Sequence, residues 1–162
     1  MADIGGFLSD KMLGMVREGT VEELRRALPP EGAQRRAAGR QRTENGWSLL
    51  DASCLVDRFD MATALVREFG FPVEDREPKF GNTALINMSG KGKAEAVAFL
   101  IRELGANRHA VNNKGETALH LACNQGHTAL ALMLVRDLGC TSRPQTTMGA
   151  RRWCRPPWVG AR

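Results

Sequence analysis

The stretch Gly115 to His127, GETALHLACNQGH, concentrates side chains able to do chemistry. His120, Cys123 and His127 stand three and four residues apart. On one continuous helix that spacing would place all three on one face, as metal ligands or a Cys/His nucleophile pair require. A second candidate is Ser89 to Ala96, SGKGKAEA, which has the glycines and lysine of a phosphate loop. A phosphate loop needs four residues between its glycines, Ser or Thr after its lysine, and a preceding strand. Here Lys91 alone separates Gly90 from Gly92, Ala94 follows Lys93, and the preceding residues read as a helix. Asn87-Met88-Ser89 matches a glycosylation acceptor, but it falls inside that same predicted helix.

The elements that would position these residues come in copies. NGWSLLDAS, FGNTALINMS and KGETALHLAC align with Gly46, Gly81 and Gly115 in register, at spacings of 35 and 34. Ser48, Thr83 and Thr117 follow, then Leu50, Leu85 and Leu119. Downstream, Leu65, Leu100 and Leu134 align, as do Gly70, Gly105 and Gly139. A fixed period of this length signals a stacked repeat array. Each copy predicts two short helices. In the last copy Thr117 caps the first helix and Gly126 ends it. A second helix then spans about Thr128 to Asp137, and Gly139 supplies the free φ of a helix C-terminus. The connecting segment ANRHAVNNKGE has turn composition and predicts a β-turn finger.

This frame removes the metal site. Gly126 places His127 on a different helix from His120 and Cys123. The equivalent triplets, Asp51/Cys54/Arg58 and Ile86/Ser89/Lys93, cannot repeat the chemistry. Cys123 is expected at a small buried position matched by Cys54 and Ser89. The recurring carboxylates Glu68, Glu103 and Asp137 are expected on a solvated outer face.

The third copy, GETALHLACNQGH, together with the period, resembles the ankyrin-repeat family, with Ala118 where that family usually has proline. The resemblance covers about residues 8–140. It implies an all-α solenoid of about three and a half ankyrin-like helix-turn-helix repeats with β-turn fingers. The copies lie at about 8–30 (partial), 45–79, 80–113 and 114–140, giving a repeat domain at 1–140. It also implies a structural His120, hydrogen-bonded to the backbone of the neighbouring finger, and a surface of fingers and first helices that binds another protein. On that surface the exposed slots are Trp47, Asn82 and Glu116 at the finger bases. Lys91, Asn124 and Gln125 follow at the first-helix ends, and Lys79 and Asn113 at the tips. Trp47 either serves as an interaction hot spot or packs beneath the loop at 31–42.

Composition bounds the rest. The 162-residue chain is long enough for one domain with a core. Its net charge of +5 is accounted for by five arginines in residues 141–162, which contain no acid. Residues 1–140 are therefore balanced, which argues against a fold with a basic nucleic-acid-binding face. Residues 141–162 are expected to form a basic disordered tail, since such composition buries little apolar surface. Nucleic-acid or acidic-partner binding is expected only through the Arg-rich loop (35–42) or this tail, where Trp153 and Trp158 interleave with arginine. The last repeat is expected to be uncapped, exposing Leu132 and Met133: either a partner covers that surface, or the chain is a truncated or mis-spliced version of a longer array. The alternative to a free-standing interaction module is a regulatory fragment of a larger multidomain protein. No apolar run is long enough to span a bilayer, and the acidic start MADIGGFLSD does not read as a secretory signal. Four cysteines without a CxxC pair fit reduced thiols in the cytoplasm or nucleus. No nucleophile, base and orienting group converge, so neither a catalytic activity nor a cofactor is expected.

Overall fold

The computed structural model describes residues 10–27, 42–43 and 46–140. Eight helices occur among them, in four consecutive pairs. The first pair is α1 (Asp10–Glu18) and α2 (Val21–Ala27). Next are α3 (Leu49–Leu55) with α4 (Phe59–Arg67), then α5 (Ala84–Gly90) with α6 (Ala94–Arg102). The last pair is α7 (Ala118–Asn124) with α8 (Thr128–Arg136). Each helix packs on its pair partner, and the first helices stack in the order α1, α3, α5, α7. No described helix is long and apolar enough to cross a membrane.

Helices of seven to nine residues are marginal alone and depend on caps and packing. Thr117 caps α7: its hydroxyl accepts from the His120 N–H, while its own N–H donates to His120 Nδ1 at 3.2 Å. Ser48 caps α3 in the same reciprocal way. Its hydroxyl accepts from the Asp51 N–H, and its N–H donates to Asp51 Oδ2 at 2.9 Å. An aspartate thus performs at one repeat what a histidine performs at another. The partner of His120 is its own helix cap rather than the neighbouring finger, because Nδ1 lies within reach of Thr117 three residues back. At α5 the equivalent residue is Ile86, which has no acceptor to offer. Thr83 makes no side-chain capping bond there, and its buried hydroxyl has no hydrogen-bond partner.

The core is built from the recurring leucines. Leu50, Leu85, Leu100, Leu119 and Leu134 are all buried, joined by Ile86, Met88 and Val97. A second cluster of Val16, Leu24, Leu49, Met61 and Leu65 seals the N-terminal pair against the next. On α1 and α2 the outward residues Arg17, Glu18, Glu22, Glu23, Arg25 and Arg26 are exposed. At the other end, Leu132 is 49% and Val135 50% exposed. Met133 is instead partly buried against the core, because its slot is shared with the buried Ala64 rather than with the outer face. Cys123 is exposed, whereas Cys54 and Ser89 are buried. The first helix of the next repeat lies against α3 and α5, and no such helix follows α7 among the described residues. Residues 141–162 and most of 31–42 lie outside the described residues, so the readings of the tail and of the loop over Trp47 fall there too.

Candidate functional site

The three fingers share one backbone device. The Thr43 N–H donates to Trp47 O, Glu77 N–H to Asn82 O, and Asn112 N–H to Glu116 O. Each finger thereby closes on a short antiparallel contact and turns back into the N-terminus of a first helix. A polar side chain at the finger's entry holds the turn. Thr43 Oγ1 accepts from the Trp47 N–H, Glu77 Oε1 from the Phe80 N–H, and Asn112 Oδ1 from the N–H groups of Lys114 and Glu116. Glu77 and Asn112 are buried, as such service requires.

The second and third fingers are tied together. Asn113 N–H donates to Phe80 O at 2.9 Å, and Asn112 Nδ2 donates to Asn82 Oδ1 at 3.0 Å. Asn112 Nδ2 also reaches Glu116 Oε2, and Arg76 Nη1 donates to Val111 O. Asn82 and Glu116 are therefore brought together through Asn112, and both are half-buried. Gly81 has φ +69, and a Cβ there would crowd the Asn113 side chain, so glycine favours this approach of the tips.

Two aromatic rings mark the surface. Trp47 is half-buried, with the Lys91 ammonium over its ring at 5.5 Å from the centroid. Phe80, at the tip of the second finger, is 40% exposed. Lys79 lies 5.1 Å and Lys114 5.5 Å from its ring centroid. Lys91 and Trp47 are thus joined, as are Lys79 and Lys114 through Phe80. Asn124 and Gln125, at the end of α7, are exposed. Phe80 is the one element of this surface that the glycine register does not reveal. The second finger is one residue longer than the third, and Phe80 fills the extra position.

The turns between paired helices carry a different repeated device. Asp57, Gly92 and Gly126 occupy equivalent turns with φ of +59, +72 and +77. The next residue in each reaches back to the preceding repeat. Arg58 Nη2 donates to Gly19 O at 2.7 Å, Lys93 Nζ pairs with Asp57 Oδ2 at 2.7 Å, and His127 Nε2 lies 3.2 Å from Gly90 O. His120 and His127 thus serve separate structural bonds on separate helices. Among the described residues no group of three His, Cys, Asp or Glu side chains is arranged to hold a metal ion. Burial, with the Asp51 and Asp57 carboxylates adding repulsion, pushes the Cys54 thiol up to about 12. A thiol held protonated in this way is not an activated nucleophile.

A family model described as ankyrin repeats, in three copies, matches residues 57–145. The chain belongs to the ankyrin-repeat family. Ankyrin repeats are in general protein–protein interaction modules, and domains built from them are typically non-catalytic. The matched residues contain the helices α4 to α8 and the closed turns that precede α5 and α7.

Proposed function

We propose that this ankyrin-repeat chain is a non-catalytic scaffold or adaptor, acting inside the cell, that binds a partner protein across its fingers and first-helix ends. In this reading residues 1–140 form the interaction module and 141–162 a separate basic segment. The supporting observation is the combination of exposure and rigidity at the fingers. Trp47 and Phe80 present ring surface, while the backbones that carry them are closed by hydrogen bonds within and between fingers. A surface already ordered before contact loses less conformational entropy on binding, and tryptophan is enriched among residues that dominate interface energies. Asn82 and Glu116 would flank the rings. Lys79, Asn113 and Lys91 would supply donors, and Asn124 and Gln125 would extend the contact along the last first helix.

Site-specific photocrosslinking tests this. A photoreactive residue replacing Asn124 or Asn113 is expected to capture the partner from cell extract. The same group replacing Glu103, at the end of a second helix, is expected not to. Capture should also fail when Trp47→Ala and Asn124→Ala are combined with the Asn113 probe. Equal capture from the Glu103 position would remove the reading.

A further inference from the structure

The charges of the described residues are distributed unevenly. On the helices and their turns several cations are matched: Arg25 with Glu22 and Glu68, Arg58 with Asp60, and Lys93 with Asp57. At the fingers the carboxylates are turned to other duties. Glu77 receives the Phe80 N–H, Glu116 receives Asn112 Nδ2, Glu74 receives the Asn107 N–H, and Asp75 pairs with Arg42. Lys79, Lys91 and Lys114 form no ion pair with any described residue. Each instead stands over an aromatic ring.

The consequence is a surface of two apolar rings, Trp47 with one ammonium over it and Phe80 with two, whose opposite charge is not supplied by the described chain. A lysine ammonium that is itself exposed over a ring keeps most of its hydration, so it stays available to an anion. The rings belong to neighbouring fingers, and stacked helices lie about 8–10 Å apart. Side chains on one side of an extended strand recur at roughly 6–7 Å. An extended segment thus offers side chains at a spacing of the same order as the stacking of the repeats. A nucleic acid would meet the same cations, but a phosphate backbone asks for a continuous basic track, and half-buried Glu116 stands beside Lys114 at the third finger.

We infer that the finger face selects an acidic, extended segment of a partner protein, with carboxylates set on Lys79, Lys91 and Lys114 and an apolar side chain laid against Phe80. This rests on the interaction surface proposed above and names the chemistry of its partner. It accounts for why the lysines of this face are seated on rings rather than on carboxylates.

The test uses the full chain and a fluorescein-labelled synthetic peptide alternating glutamate and leucine. Fluorescence anisotropy compares it with the lysine/leucine counterpart and with a single-stranded oligonucleotide. Replacing Lys79, Lys91 and Lys114 by glutamine should weaken the acidic peptide by about tenfold or more. Replacing Arg17, Arg102 and Arg136 by glutamine removes the same charge from exposed positions without rings, and should change binding by less than about twofold. Equal losses from the two triple variants would reduce the effect to general attraction by a basic chain and overturn the inference. Absence of acidic-peptide binding would overturn it, as would an equal response to the basic peptide. Tighter binding of the oligonucleotide through the same three lysines would replace it with nucleic-acid recognition. The crosslinking result is independent of all these outcomes. A partner captured at the fingers despite no acidic preference would leave the interaction module standing and remove only its acidic specificity.

Discussion

Thr83 and Thr117 occupy the same position in successive repeats, and the same substitution should move stability in opposite directions. At Thr117 the hydroxyl accepts the His120 N–H and meets Nδ1 of the same residue at 2.8 Å. Thr117→Val deletes that cap and leaves the His120 N–H without its side-chain acceptor, a loss of about 0.5–2 kcal/mol, while the backbone N–H at 117 still reaches Nδ1. At Thr83 the hydroxyl is buried without a partner, since Ile86 stands where His120 and Asp51 provide one. Valine has nearly the same shape, so Thr83→Val removes a desolvated polar atom and fills the space with a methyl group. Relief of an unsatisfied buried hydroxyl is worth about 1–3 kcal/mol. For a chain of this size each kcal/mol shifts the melting temperature by about 2–4 °C. Thr83→Val is therefore expected to melt about 2–12 °C higher and Thr117→Val about 1–8 °C lower, followed by circular dichroism at fixed pH. A lower melting temperature for Thr83→Val would refute the reasoning, because it would mean that the hydroxyl has a partner in solution.

Other substitutions follow from the same geometry. Asp51→Ala strands the buried Ser48 N–H and hydroxyl and the Asn87 amide, and should cost about 2–4 kcal/mol in a urea titration. Leu85→Ala opens a cavity between repeats and should cost about 2–5 kcal/mol by the same assay. At Gly92, φ is +72 and a Cβ would lie 2.7 Å from the His127 ring, so Gly92→Ala should lose more than about 1 kcal/mol, whereas Asp57→Gly should stay within about 1 kcal/mol of wild type. For the thiols the sign follows from Cys54 being raised to about 12 in the folded state against an ordinary value near 9. Its contribution to stability is complete below pH 9 and is lost as pH rises from about 9 toward 12, while in native protein at pH 8 iodoacetamide mass mapping should show Cys123 modified and Cys54 protected.

Much of the fold was legible because repetition multiplies weak signals. One Gly-x-Ser/Thr-x-Leu would predict little, but three in register place turns, caps and buried leucines together. The separation of His120 from His127 followed from Gly126 alone. What escaped the sequence was of another kind. Cys123 was expected to be buried from its match to Cys54 and Ser89, but a following first helix packs on α3 and α5 whereas none follows α7 among the described residues. The bond of His120 to Thr117 is a choice between two nearby acceptor geometries that spacing does not rank. Phe80 was hidden by aligning glycines across fingers of unequal length, and Asn112 by lying in a segment read simply as turn-forming. The candidate surface was named slot by slot from the resemblance. The seating of its lysines on rings required side-chain geometry.

The reach-back bonds of Arg58, Lys93 and His127 each bind one repeat to the repeat before it, and to no other. A chain coupled only between neighbours opens in steps rather than as a unit, beginning where one of the couplings is missing. The last repeat receives such a bond from no described residue after it, and its second helix already exposes Leu132 and Val135. Amide hydrogens should therefore exchange fastest in α8 and α7, with α5 as the slowest because it is held from both sides. The finger surface crosses that gradient. A ligand spanning the fingers that lead into α5 and α7 would slow exchange in the weaker repeat far more than in the stronger, so binding could be read as a flattening of the exchange profile even before the ligand's footprint is known.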